Sequence, residues 1–461
     1  MSEKFHFECI DCKAEYPGDE LIYLCPACEK INQPGQPPRG VLKTIYDYSF
    51  IRGTTSRDRL FAALQEDHFL PLLPIVSFRN WPKLRIGGTP LYGIEKIEKI
   101  EEIEEIGEIG EIGEIEEIEK IEKIEKIEKI EKIEGIEKFE LFLKDDSQNP
   151  TFSFKDRASA LVSAWAKEHG IEMLVAASTG NAGSSLAGIC ASQRQKAVIV
   201  VPATAPVAKL TQVLMYGATL IPVNGTYDEA FDLSVKLSEK YGWYNRNTAY
   251  NPLTIEGKKT VSFEIYSDLG QRVPDRIFIP VGDGVIFSGV CKGFEELLML
   301  GITDRMPILV AVQAEGSANL VHNLETDQFV SKPSVTLADS ISVDIPRNFF
   351  MTKHYFEKYR NEWITVTDSE IITASVSLAK SSGIFSEPAA VAAFAGMLKY
   401  KAQGLIPSGT LNVVLLTGSG LKDPGAARSL LLMPEPVKPD ISAIGHLTKN
   451  LFPTRKAKNL E

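Results

Sequence analysis

The chain has 461 residues, of which 44% are hydrophobic, 24% charged and 9% aromatic, a composition expected of a soluble enzyme with a large core and two or three domains. No apolar run approaches the roughly 18–20 residues that span a bilayer, and the start, MSEKFHFECIDC, has neither the basic segment nor the apolar run of a secretory leader, so a cytoplasmic protein with no membrane partner is expected. The net charge of −11 is local, because residues 93–138 carry 18 Glu and 8 Lys; the nearly neutral remainder offers no field for a nucleic acid.

Four cysteines open the chain as Cys9-x2-Cys12 and Cys25-x2-Cys28. Two knuckles of this spacing can place four thiolates tetrahedrally around a structural Zn2+, which closes the site and leaves no open catalytic position. An iron site would use the same ligands, and paired disulfides are disfavoured in a cytoplasmic chain. The segment NQPGQPPRG, Asn32 to Gly40, reads as the linker that ends this module at 1–40. Cys190 and Cys291 lie in apolar helical contexts and read as core.

Residues 93–139 repeat Ile at every third position. Three residues advance a helix by about 300°, so the Ile row drifts around the cylinder and gives no fixed apolar face. The heptad spacing of a coiled coil is absent. The segment is expected to be a solvated, partly helical or mobile insertion with no catalytic role.

Beyond it, apolar runs alternate with helical patterns. The runs EMLVAAS, KAVIVVP, ATLIPV, RIFIPV, PILVAVQ and LNVVLLTG read as strands. VAKLTQVLMYG, YDEAFDLSVKLSEKYG and VCKGFEELLML have helical spacing. This alternation predicts mostly parallel sheets covered on both faces. Ligands in such sheets lie at the carboxyl ends of the strands. Two Gly-rich turns fall there: STGNAGSS (Ser178 to Ser185) and VGDGVIFSG (Val281 to Gly289), whose unpaired backbone amides can hold a phosphate. The remaining candidate is Lys155 in NPTFSFKDR, which can be either a solvated ion pair with Asp156 or a reactive amine.

NPTFSFKDR, ASTGNAGSS, PVGDG and LLTGSGLKDP, in that order, resemble the motifs of the fold-type-II pyridoxal-phosphate (PLP) enzymes, and specifically of the threonine synthase family. The resemblance covers nearly the whole chain outside the insertion and the tail. It implies two three-layer α/β domains with PLP in the cleft between them, behind the four-cysteine module. The expected bounds are 41–92 for the N-terminal part of the body, 140–174 with 273–435 for the large domain, 175–272 for the small domain and 436–461 for a tail. By the same resemblance, Lys155 would bind the cofactor covalently and serve as the catalytic base. Asn181 would face the cofactor's phenolic oxygen, Gly282, Asp283, Gly284, Val285 and Ile286 would surround its phosphate, and Thr417 would face its ring nitrogen. The Asp283 side chain is expected to point away from that phosphate. Ser178, Thr179 and Thr248 would contact a small amino-acid substrate. Glu387, in the SEPAA segment, would lie near the cofactor or serve as a helix N-terminal carboxylate. A homodimer is common in the family.

Two positions depart from the pattern. The arginine that in many threonine synthases precedes an EGQKT-like segment, and grips the substrate's phosphate, is Thr254 here, in NTAYNPLTIEGKKT. Arg246, Lys258 or Lys259 are the candidates to replace it. Phe152 stands where the family usually has Gly, and is expected either to crowd the substrate pocket or to pack in its wall. Arg347, in TLADSISVDIPRN, is either a substitute anion clamp or a structural ion pair. The expected activity is a PLP-dependent lyase making L-threonine and phosphate from O-phosphohomoserine and water. The alternatives are a β-eliminating dehydratase or ammonia-lyase, and a non-catalytic PLP-binding homologue.

Overall fold

The short apolar runs of the body become the strands of two parallel sheets. The computed structural model describes residues 4–94, 98–99, 131–132, 139–205, 207–428, 436–437 and 439. At the N-terminus, β1 (Phe5–Cys9), β2 (Glu15–Pro17) and β3 (Leu42–Tyr46) form an antiparallel sheet in the order β2-β1-β3. β3 lies beyond the Pro-rich linker and pairs with β1 from Phe5 opposite Tyr46 to Cys9 opposite Leu42. The boundary expected at residue 40 therefore cuts a sheet: the cysteine module is completed by the strand after the linker.

Helices α1 (Tyr48–Gly53) and α2 (Arg57–Glu66) precede β4 (Leu91–Gly93). Within the Ile-Glu-Lys repeat, β5 (Glu98–Lys99) pairs antiparallel with β6 (Glu131–Lys132). The solvated helix expected elsewhere in 93–139 lies outside the described residues, as does nearly all of the tail expected at 436–461. β7 (Glu140–Asp145) then leads to α3 (Lys155–Glu168).

The smaller sheet contains β8 (Met173–Ala177), β9 (Lys196–Pro202), β10 (Thr219–Val223) and β11 (Tyr244–Asn245), all parallel in the order β10-β9-β8-β11. Its crossovers are α4 (Asn181–Gln193), α5 (Val207–Met215) and α6 (Tyr227–Tyr241). The sequence marks the ends of α6 directly. Thr226 and Glu229 form a reciprocal capping box, and Gly242 takes the left-handed conformation at the other end, where only glycine avoids a Cβ penalty. The larger part of the chain runs through α7 (Leu253–Asp268), β12 (Arg276–Pro280), α8 (Val285–Met299), β13 (Ile308–Ala314), α9 (Phe349–Lys358), β14 (Glu362–Val366), α10 (Asp368–Ser382), α11 (Pro388–Ala402) and β15 (Leu411–Leu416). The large sheet is ordered β14-β13-β12-β15-β7-β4, parallel except at the short edge strand β4.

Two helices cross the expected domain bounds. α3 presents Leu161, Val162 and Trp165 to the core of the small sheet, with Leu174, Ala176 and Leu186. α7 presents Val261, Phe263 and Ile265 to the large-sheet core, with Phe287, Phe294 and Ile277. A boundary drawn from strand positions misses this, because a helix joins whichever sheet its apolar stripe can cover.

The α7–α8 contact is close and charged. A Cβ at Gly289 would lie 2.8 Å from the Lys258 Cβ, and one at Gly293 would lie 2.5 Å from the Lys259 carbonyl oxygen. Beside these glycines Lys259 contacts Glu256 at 2.5 Å and Glu296 at 2.8 Å. Lys292 contacts Glu256 at 3.2 Å and also Glu296. The Tyr46 hydroxyl of β3 donates to Glu256 at 2.7 Å, and its ring lies under the Lys259 ammonium at 4.3 Å. All four charged side chains are sealed from water, so removing one leaves an uncompensated charge that no solvent can screen. Replacing Lys292 by Met should lower stability by about 3–5 kcal/mol, measured by urea unfolding.

Candidate active site

The NPTFSFKDR segment distributes its charges so that one lysine is left over. The Asp156 carboxylate accepts from the Thr151 amide at 2.7 Å and the Thr151 hydroxyl at 2.5 Å, fixing the turn that follows Asn149-Pro150. Arg157 bridges Asp146, at 2.6 and 2.9 Å, and Glu264, at 2.6 and 2.8 Å. Lys155 therefore begins α3 without the Asp156 ion pair that adjacency in sequence suggests. Burial lowers the basicity of its amine; Glu387 and Asp283 oppose that, and Arg246 adds to it. A half-buried lysine with lowered basicity is available as a nucleophile or a base.

Lys155 lines a cavity of about 390 Å³. The turn after β8 brings Ser178, Thr179 and Asn181 to it, the loop after β11 brings Arg246 and Thr248, and the turn after β12 brings Gly282 to Ile286. The segment after β15 brings Thr417. Lys155, the cofactor candidates and the substrate candidates Ser178, Thr179 and Thr248 thus share one space. The Asn181 amide donates to the two Glu387 oxygens at 2.8 and 3.0 Å. Burial pushes the Glu387 carboxyl up, while the Asn181 hydrogen bond and the Lys155 charge oppose this. Glu387 is both cavity wall and the residue at the N-cap of α11, where its side chain makes no capping bond.

At the start of α8, Gly284 is left-handed with φ +86, and no side chain caps the helix. The leading amides of this 15-residue helix are therefore free to receive an anion. A Cβ on Gly284 would meet Leu320 at 2.9 Å as well as the Thr352 hydroxyl, so the turn admits only glycine. Burial raises the Asp283 carboxyl. It accepts the Arg347 backbone amide at 3.1 Å, a partner outside the turn of the kind its expected orientation requires.

The departures resolve differently. Thr254 is sealed in α7, its hydroxyl donating to the Asn251 carbonyl at 2.8 Å, and it does not line the cavity. Lys259 belongs to the buried charge cluster. Arg246 and Lys258 do face the cavity. Arg246 is held by Ser159 at 3.1 Å and Thr248 at 2.8 Å; burial lowers its guanidinium to about 10, still charged at neutral pH. Phe152 corrects both expectations for it: the residue has φ +65, is 48% exposed, and lies outside the cavity. The family's glycine at this position is explained by backbone conformation, which a phenylalanine here adopts under strain. Arg347 pairs with Asp228 and lies 3.8 Å over the Phe231 ring while also lining the cavity, so a loop from the large part of the chain clasps α6 at the cavity's edge. Tyr227, Asp228 and Ser340 also line the cavity, although no motif marks them. They come from the ordinary start of α6 and from an irregular loop.

The four cysteines converge as expected: their sulfurs lie within 4.8 Å of one another, with Cys12–Cys25 at 3.6 Å and Cys9–Cys28 at 3.8 Å. A tetrahedron with Zn–S bonds of about 2.3 Å has edges of about 3.8 Å, so the thiol set fits such an ion. Cys190 and Cys291 are buried. No helix among the described residues is long and apolar enough to cross a membrane.

The profile of the pyridoxal-phosphate dependent enzymes matches residues 118–418. Threonine synthase from Methanocaldococcus jannaschii is 32% identical over 448 residues, 96% of this chain and 99% of that protein. Threonine synthase from Methanosarcina acetivorans is 33% identical over 95% and 98%, respectively. Among solved structures, threonine deaminase isoform 2 from Solanum lycopersicum superposes with a TM-score of 0.55 at 23% identity, over 64% of this chain and 80% of that one; this shows a shared fold.

Replacing Phe152 by Gly should raise stability by up to about 1 kcal/mol through relief of the positive φ. It should leave KM unchanged within about twofold, as checked by denaturant titration and steady-state kinetics.

Proposed function

The chain belongs to the pyridoxal-phosphate dependent enzymes, and on that footing we propose that it is a threonine synthase, a lyase converting O-phosphohomoserine and water to L-threonine and phosphate. One observation carries the substrate assignment. The cavity already has an anion site in the uncapped amides of α8, suited to the cofactor's phosphate, and yet Arg246 brings to it a guanidinium that is charged at neutral pH and held by hydroxyls. An enzyme whose substrate lacks a second phosphate has no electrostatic use for that buried charge, which costs desolvation energy to keep.

The cavity fits the cofactor on its own chemistry: a half-buried lysine without an ion pair, a glycine-turned helix start for the phosphate, and polar groups at either end. We assign Lys155 to the cofactor's aldehyde, Gly282 to Ile286 to its phosphate, Asn181 to its phenolic oxygen and Thr417 to its ring nitrogen. When bound, the cofactor supplies an electron sink for charge developing at the substrate's Cα. Thr417 tempers that sink, because a hydroxyl does not hold a ring nitrogen protonated as a carboxylate would. Lys155, with its lowered basicity, moves protons at Cα and Cβ, a kind of acid–base catalysis that typically contributes 10²–10⁴-fold. Ser178, Thr179 and Thr248 hydrogen-bond the substrate, and Arg246 binds its phosphate in place of the arginine lost at position 254. The two sheets with their helices act as two domains that exclude water when they close on substrate, the Arg347–Asp228 pair lying on the path of that motion. The cysteine module holds Zn2+ as a structural ion.

Turnover of the cofactor-loaded protein tests the reading: threonine and inorganic phosphate should appear in equal amounts from O-phosphohomoserine. A 2-oxo acid and ammonia from threonine or serine, without phosphate release, would move the protein to the elimination enzymes. Arg246→Met should raise KM for the phosphorylated substrate about tenfold or more, the value of a charged hydrogen bond, whereas Thr254→Ala should leave it unchanged. Elemental analysis should find one zinc per chain, and its removal by a chelator should lower the melting midpoint, since metal binding here is folding energy.

A further inference from the structure

Lys258 is anomalous. A fully buried ammonium ordinarily has a carboxylate or carbonyl partner. Lys258 is sealed in the protein interior, and its Nζ makes no hydrogen bond although it faces the cavity. Its neighbour shows the contrast: Lys259, one residue along α7, has two carboxylates. The stem of Lys258 is pinned where α7 meets Gly289 of α8. The charged groups that face it are Arg246 from the loop after β11, Lys155 from the start of α3, and Asp283 before α8, whose carboxylate is already bound by the Arg347 amide. Burial above all, and then Arg246 and Lys155, push the amine far below the ordinary lysine range, with Asp283 opposing.

We propose that Lys258 is the acid that assists departure of the substrate's phosphate, taking a proton from the incoming phosphate ester and returning it to the bridging oxygen as the carbon–oxygen bond breaks. This rests on the threonine synthase reading. On binding, the monoanionic ester gives its proton to the neutral amine, and a dianion–ammonium pair forms. On departure, the electron pair freed when Lys155 takes the Cβ proton forms the Cβ–Cγ double bond, the electron pair of the Cγ–O bond goes to oxygen, the Lys258 proton follows it, and hydrogen phosphate leaves. The amine is then neutral again, the state its surroundings favour. The division of labour with Arg246 follows from chemistry. A guanidinium binds phosphate bidentately and keeps its protons, whereas a desolvated ammonium is a competent acid. Lys155 serves a different position, the carbons nearer the amino group.

Lys258→Gln tests the proposal without threatening the fold, because it restores the EGQKT-like wording and removes an unpartnered amine; its melting midpoint should be no lower than that of the parent. On O-phosphohomoserine its kcat should fall about 10²-fold or more, and the change in KM should be smaller. L-vinylglycine, which has a double bond where the phosphate ester stood, needs no departure step, and its turnover should be spared. Lys258→Arg should recover KM but not kcat. A Gln variant with raised KM and intact kcat, an Arg variant with restored kcat, or equal loss on both substrates would each overturn the proposal. Absence of coupled threonine and phosphate release by the parent enzyme would instead overturn the threonine synthase reading, and this proposal with it.

Discussion

Four charges with no access to water cancel one another where helices α7 and α8 meet, and the active cavity is organised around that contact. Glu256, Lys259, Lys292 and Glu296 form the cluster, and Tyr46 closes it from the strand that completes the cysteine module. Charges this deep tolerate little displacement, since each has only its designated partners to offset desolvation. The helices are thereby fixed in register. α8 begins at the glycine turn whose amides face the cavity, and α7 carries Lys258 into it. The same contact gives the N-terminal module a role in shaping the site: β3 supplies Tyr46, and Lys43 of that strand reaches Glu295 at 2.5 Å.

The site itself depends on what its lysines lack. Carboxylates near Lys155 and Lys258 have partners elsewhere: Asp156 binds Thr151, Glu387 binds Asn181, and Asp283 takes a backbone amide. Had any of them formed a tight ion pair with either amine, that amine would remain protonated and inert as a base. Stability is spent to keep both unneutralised, as is common where catalysis needs a group with shifted basicity.

Much of this was legible in the chain of residues. Strand runs act within a few residues, and they appear where the pattern placed them. The ordered motifs brought Lys155, Asn181, Gly282–Ile286 and Thr417 to one cavity, and the paired knuckles brought four sulfurs together. Phe152 was legible only as an oddity. Its explanation is a backbone angle, which no residue pattern displays. The domain bounds misplaced α3, α7 and β3, because the surface that covers an apolar stripe is chosen in three dimensions.

By itself, then, the sequence determined the elements, the family and the set of chemically capable residues, because these follow from local backbone preference and from motif order. Only the tertiary structure decided which of Arg246, Lys258 and Lys259 reach the cavity: the first two line it, and Lys259 does not. Lys258 and Lys259 are adjacent and chemically identical, yet the roughly 100° between them around one helix gives them different surroundings. Glu256 and Glu296 neutralise Lys259, while Lys258 meets a cavity containing Arg246 and Lys155. A charge's function is set by its partners, and those partners come from segments far apart in the chain.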